Sequence, residues 1–322
     1  MDVNLNFFKS LYSAFDTDKM EWFTFVPEWV IMDVVILLLG VFTIGFIIKH
    51  EKHPQARLLE LFCFIFLFAG IYENMASVMG WYGFGKSIVM VFNVPLTVPL
   101  IEALFTYAGL RFAEGLRIPK WATVLLVGAC GVMADLTLDP LALAQVHGGI
   151  GRWSWYINPG DVNIFGVPIY NFTGWFLICA YAAVFMLLGR HWHEKSGYSK
   201  KIGLVYPPLC FLGALAAMVS PLSAFLLWLN PILSRGGWQE YIMLVLVSLA
   251  VALIVWRGRV QENFSLKKTL VFPVVFGVFY LTNLVFDCIA GRFDILLFSL
   301  PFIAIHTAIY LWVHSARKQV CQ

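Results

Sequence analysis

The chain has 322 residues, 60% of them hydrophobic and 13% charged, about half the charged share of an ordinary soluble domain. Runs of about 20 apolar residues, each long enough to cross a bilayer, recur from Trp29 almost to the C-terminus. A soluble fold is therefore excluded, and a net charge of +3 scattered over short segments offers no basic patch for nucleic acid.

In chain order, residues 1–28 come first. Phe7, Phe8, Leu11, Tyr12 and Phe15 recur at helical spacing, as in a short amphipathic helix lying on the outer interface. No positive n-region with a short apolar core and cleavage site is evident, so no cleaved signal is expected. Nine spans follow, at 29–48, 58–80, 88–112, 121–139, 168–189, 204–229, 239–256, 270–290 and 294–313. The expected fold is an all-α polytopic membrane bundle, with one transmembrane domain over 29–313 and a tail at 314–322. "GRFD" alone joins the last two spans, which form a tight hairpin. No internal repeat or low-complexity segment is evident.

The charges give the orientation. Lys and Arg number 6 in the odd-numbered segments flanking the spans and 16 in the even-numbered ones. The positive-inside rule makes the even segments cytoplasmic, with the N-terminus outside and the C-terminus inside. The expected location is the cytoplasmic membrane of a prokaryote. "RHWHEKSGYSKK" (190–201) reads as a solvated cytoplasmic loop with affinity for anionic lipid. Cys63, Cys130, Cys179, Cys210 and Cys288 fall inside spans, with no C-x-x-C, and read as small hydrophobes.

That topology gives each polar residue a depth. Glu73 and Asn74 lie near the outer end of span two, Asn93 is shallow in span three, and Glu102 is about mid-membrane. Asp135 and Asp139 end span four, one helical turn apart on one face. Asn171 begins span five, and Asn283 and Asp287 reach the outer half of span eight. Six of these, Glu73, Asn74, Asp135, Asp139, Asn171 and Asp287, thus converge on one leaflet from four helices. Intramembrane acids normally face a bundle interior or wet cavity and serve a function. Asp139, beside Pro140, could instead be a helix-end residue in the headgroup region. His306 sits nearer the middle of span nine. Between spans four and five, Trp153, Trp155 and Tyr156 form either an interfacial aromatic belt or a lid whose rings suit a polyene or a carbocation.

The block from Ala134 to Trp175 carries a resemblance. An Asp-x-x-x-Asp-Pro at a span end, a Trp-rich loop and then "FGVPIYNFTGW" resemble the carotenoid biosynthesis membrane family, as do "YEN" in span two and the Glu of span three. Its best-known members are hydratases acting on gamma-carotene or lycopene ends and on bisanhydrobacterioruberin. The resemblance covers most of the chain to about residue 189 and gives no role to Asp287 or His306. It implies addition of water to the terminal double bond of an acyclic carotenoid or related polyisoprenoid, with no metal or other cofactor and only membrane lipid as further partner.

The residues suit that chemistry. Protonating an alkene needs a carboxylic acid kept neutral until used, which burial and a second carboxylate both favour. The cation needs negative charge or aromatic faces, and the water needs a base. Asp135, the deeper of the two, is the expected acid, with Glu73 as its competitor, and Asp139 stays ionised to orient water. The expected substrate-binding set is Asn74, Asn93, Glu102, Trp153, Trp155, Asn171, Trp175 and Asp287, with Asn74 and Asn171 fixing water or carboxyl rotamers.

Besides a purely structural membrane protein, there are three rivals. A polyprenyl transferase uses D-x-x-x-D to hold Mg²⁺ and a diphosphate, but here the motif occurs once, beside loops with a single basic residue such as Arg152. A di-iron hydroxylase needs more histidines than His50, His53, His191 and His193, which read as exposed loop residues. A proton-coupled or lipid transporter also places acids in the membrane, and "NVPLTVP" with Pro95 and Pro99 offers it a broken helix.

Overall fold

In the computed structural model the described residues are 27–85, 87–147, 150–157, 162–223, 247–249, 251–252, 255–256, 259–260 and 266–320. The helices that matter are α1 (Pro27–His50), α2 (Pro54–Val78), α3 (Thr97–Ala113), α4 (Lys120–Ala144), α5 (Ile169–Lys195), α6 (Lys200–Met218), α7 (Val271–Ile289) and α8 (Phe293–Val320). All but α3 are long and apolar enough to cross a membrane, giving seven such helices among the described residues. The protein is therefore a helical membrane bundle. The expected interfacial helix at the N-terminus and most of the expected span 239–256 lie outside the described residues.

α3 is short because it is central. Its 17 residues rise about 25 Å, and every one except Arg111 is buried. A helix that is apolar all round belongs inside a bundle, and Phe105 of α3 stacks on Phe276 of α7 with ring centres 4.9 Å apart. α1, α7 and α8 do the reverse and expose Leu38, Val41, Leu281 and Leu297, which suits helices facing lipid. α5 packs against both α4 and α6. The approach of α4 is close enough that a Cβ on Gly131 would lie 2.5 Å from Cys179 Sγ, the small-residue contact common between membrane helices.

Several boundaries differ from those expected, among them that of span six, whose helix runs from Lys200 to Met218. Span three does not begin at 88: residues 90–91 and 94–95 pair as a tiny antiparallel hairpin, and the helix starts at Thr97. Proline steers the residue before it out of the helical region, so Val94–Pro95 extends the chain, while Pro99 sits in the first turn where its missing N–H is tolerated. Neither proline breaks a helix at mid-membrane, which removes the feature that spoke for transport. Span four does not stop at Asp139 but runs through Pro140 to Ala144, so Asp139 is a buried interior residue and not a solvated end. α5 likewise continues to Lys195, turning part of the expected basic loop into helix.

α2 holds one irregularity, a π-helical turn over Phe64–Ala69. A side chain at Gly70 would collide with the Ile65 carbonyl, so glycine is what lets the wide turn close. A π turn carries an extra residue and re-phases everything after it, and the residues after it are Tyr72 and Glu73.

Chain direction gathers the connections at two ends. At one end the strand Tyr82–Phe84 pairs antiparallel with Trp153–Trp155. At the other, Leu116–Arg117 pairs with Arg259–Val260.

Candidate active site

Four acidic side chains on three helices end in one place. Glu73 of α2, Glu102 of α3, and Asp135 and Asp139 of α4 are all buried. An acid at membrane depth costs about 2.5–3.5 kcal/mol on insertion scales, so four cost about 10 kcal/mol, the size of a whole domain's net stability. Packing alone does not account for groups that expensive.

The acids come as two pairs. Asp135 and Asp139 touch on one face of α4. Asn171, in the first turn of α5, donates from Nδ2 to Asp135 Oδ2 at 2.8 Å and to Asp139 Oδ2 at 2.6 Å. The indole of Trp155 lies beside Asp139 without forming a geometrically sound hydrogen bond. Glu73 and Glu102 form the second pair, also in contact. The Tyr82 hydroxyl donates to Glu73 Oε2 at 2.6 Å. Burial, then the adjacent Glu73, holds the Tyr82 phenol well above its ordinary pKa, so it remains a donor. Among the described residues no donor reaches either oxygen of Glu102.

Between these groups lies a partly open cavity whose empty volume, counted with the open solvent at its mouth, is about 780 Å³. Glu73, Glu102, Asp139, Asn171, Thr97 and Arg152 are on its polar wall, and Trp81, Trp153, Trp155, Trp175, Tyr72 and Tyr170 are among its aromatic faces. The strand pairing sets part of that wall by placing Tyr82 opposite Trp155 and Phe84 opposite Trp153, with ring centres 4.6 and 5.7 Å apart. Cross-strand aromatic pairs of this kind hold a sheet together. Here they bind the segment after α2 to the segment after α4.

Several expected residues stand elsewhere. Asp135 is fully buried behind Asp139 and is not part of the cavity wall. Asn74 donates to the Gly70 carbonyl at 2.7 Å and accepts from the Asn93 backbone N–H at 3.0 Å. Those two asparagines therefore anchor the connection into α3 and do not line the cavity. Asp287 is buried on α7, with neither carboxyl oxygen bonded, outside the cavity wall. One turn before it, Asn283 donates to Thr137 Oγ1 of α4 at 3.0 Å. His306 meets the Tyr280 hydroxyl at 2.6 Å among Phe272 and Phe276, away from the acids. His193, expected to be exposed, is buried against His53, Tyr198 and Tyr206. Among the described residues no group of three or more His, Cys, Asp or Glu side chains has the arrangement of a metal site.

Asp33 is the part of the site that sequence reasoning passed over. It accepts from Thr97 Oγ1 at 2.9 Å, from Arg152 Nη2 at 3.0 Å and from the Ser87 hydroxyl. One carboxylate thus ties α1 to the start of α3 and to the loop bearing Trp153. The signal was half present: a lone acid in the apolar run of span one needs a partner, but Lys19 and Lys86 stand nearer to it in the sequence than Arg152.

A family model for carotenoid biosynthesis proteins matches residues 32–236. The chain belongs to the carotenoid biosynthesis protein family. The match begins just before Asp33 and contains all four acids, Asn171 and the whole cavity wall, but neither Asp287 nor His306. The carotenoid biosynthesis family match thus takes in most of α1 and all of α2 to α6, which include every helix that lines the cavity. No curated protein and no solved structure matches the chain.

Proposed function

We propose that this carotenoid biosynthesis protein is an integral-membrane hydratase that adds water to the terminal double bond of an acyclic carotenoid or related polyisoprenoid. The observation that carries the reading is three carboxyl groups, Glu73, Glu102 and Asp139, set among aromatic faces in one cavity, with Asp135 buried behind Asp139. A long hydrocarbon needs an apolar enclosure, and only its reacting end needs polar groups.

The chemistry follows from the groups. A carboxylic acid protonates the alkene, giving a tertiary cation. The indole and phenol faces and the remaining carboxylates stabilise that charge in a site with little water. Asp139, with Asp135 behind it and Asn171 fixing both carboxyls, orients the attacking water and takes its proton. The geometry favours a changed division of labour between the aspartates. Asp139 faces the cavity, whereas Asp135 acts through Asp139.

The charge asymmetry of the connecting segments supports nine spans, with the cavity toward the outer leaflet and both the C-terminus and the Leu116–Arg117 end in the cytoplasm. A prokaryotic cytoplasmic membrane fits that arrangement. Reporters fused after Gln322 and within 141–165 are expected on opposite faces, the first cytoplasmic. Both on one face would end this placement.

The direct test is expression in cells that make lycopene or a bacterioruberin precursor, followed by mass spectrometry of the extracted pigment. Each modified end gains one water. If every acyclic carotenoid offered comes back unchanged while the protein is present in the membrane, the hydratase reading fails.

A further inference from the structure

We infer that Glu102 is the acid that protonates the alkene, with Glu73 as its anionic neighbour and Asp139 as the base for water. The inference rests on the hydratase reading and deepens it by naming the donor.

Glu102 differs from the other three acids in its surroundings. Asn171 donates to both aspartates, and Tyr82 donates to Glu73. Donors aimed at a carboxyl favour its anion. Among the described residues no donor reaches either oxygen of Glu102, although it is fully buried. An anion left unpaired in such a place is prohibitive, so the group is held as the neutral acid. The cation nearest the site, Arg152 on the cavity wall, is already engaged by Asp33. Contact with Glu73 gives the Glu102 proton a resting acceptor. Glu102 also lines the cavity, whereas Asp135 does not. Its place on the central helix α3, buried along nearly its whole length, keeps bulk water from competing for the proton.

The step balances without an oxidant or reductant. The alkene π pair takes the Glu102 proton and forms a C–H bond at the less substituted carbon. The broken O–H bond leaves its electrons on the Glu102 carboxylate, and the neighbouring carbon becomes a tertiary cation. A lone pair on water forms the C–O bond, and the surplus proton passes to Asp139. Return of that proton from Asp139 to Glu102 resets the site, and the two groups are near enough to interact.

Deuterium separates a donor from a base. Membranes holding the full-length protein and an acyclic carotenoid are incubated in D2O, then product and recovered substrate are analysed by mass spectrometry. Glu102→Gln is expected to lose alcohol formation by about 10²-fold or more and to leave the recovered substrate unlabelled, while the polyene still co-purifies with the protein. Asp139→Asn is expected to lose the alcohol but still label the recovered substrate, because the cation forms and reverts. Glu102→Asp keeps an acid and is expected to recover part of the labelling. Labelling by Glu102→Gln at the wild-type rate overturns the inference. So does a Glu102→Asp protein as unreactive as Glu102→Gln with polyene bound in both, since Glu102 then only shapes the cavity. Should Glu102→Gln not accumulate, Glu102→Asp decides alone: its longer reach to the alkene must slow labelling at least tenfold, and unchanged labelling refutes the assignment. If the wild type gives neither alcohol nor label, the hydratase reading itself has failed.

Discussion

Asp139→Asn is expected to lower hydration by about 10²–10⁴-fold, the usual contribution of a positioned acid or base. The amide keeps the volume of the carboxylate but supplies no negative charge to the cation and takes no proton from water. Asn171 donates to Asp139 at 2.6 Å, and that bond survives if the new amide turns its oxygen toward Asn171. The loss therefore reports charge and basicity, not a collapsed wall. Asp135→Asn is expected to cost less, because Asp135 is fully buried behind Asp139. Both variants are compared by the ratio of alcohol to precursor in cells with matched protein levels. A greater loss from Asp135→Asn would restore that residue as the acid, the role its depth in the sequence first gave it. Near wild-type turnover in both would remove the aspartate pair from the chemistry.

The spacing of Asp135 and Asp139 was legible because a helical repeat is a local property: four residues apart means one face. The Trp-rich loop and Asn171 were legible because they stand in the same stretch of sequence as those acids. What local pattern does not carry is the partner across the fold. Asp33 and Arg152 are 119 positions apart, and Glu60 and Arg190 are 130 apart, so neither pair has a periodicity to betray it. Arg190 looked like a loop charge because Arg, His and Lys cluster after an apolar run, yet α5 carries the chain on to Lys195. Glu102 was legible as an acid in an apolar run, but its lack of donors among the described residues depends on which neighbours Tyr82 and Asn171 reach. Tyr82 itself was invisible as a site residue, since it becomes one through the strand pairing with Trp153–Trp155 and the π turn that re-phases Glu73.

Glu60→Leu is expected to destabilise the bundle by about 3–5 kcal/mol, as when one partner of a buried ion pair is removed. Glu60 is the hub of the end opposite the cavity. Its carboxylate accepts from Arg190 Nη2 at 2.7 Å, Arg57 Nη1 at 2.7 Å and the Tyr206 hydroxyl at 2.6 Å. Through them it joins α2 to α5 and α6, and Arg190 passes the link to Glu114 beyond α3 at 2.7 Å. Burial opposes the ionised form of Glu114, but Arg190 and then Arg111 outweigh it and hold that carboxyl below its ordinary pKa. Removing Glu60 leaves Arg190 with Glu114 as its described carboxylate partner, and leaves Arg57 with a loose Glu51 contact at 3.9 Å and the neutral Tyr206 hydroxyl at 2.8 Å. Removing Arg190 is milder, since Glu60 keeps Arg57 and Tyr206, and Glu114 keeps Arg111. Thermal unfolding in detergent is therefore expected to rank wild type, Arg190→Met and Glu60→Leu in falling order, with a drop on the order of 10 °C for the last. Hydration by the folded fraction is expected to persist at low temperature, because the cavity lies at the other end. A Glu60→Leu protein as stable as wild type would mean that these charges are solvated and weakly coupled, and that helix packing alone holds this end together.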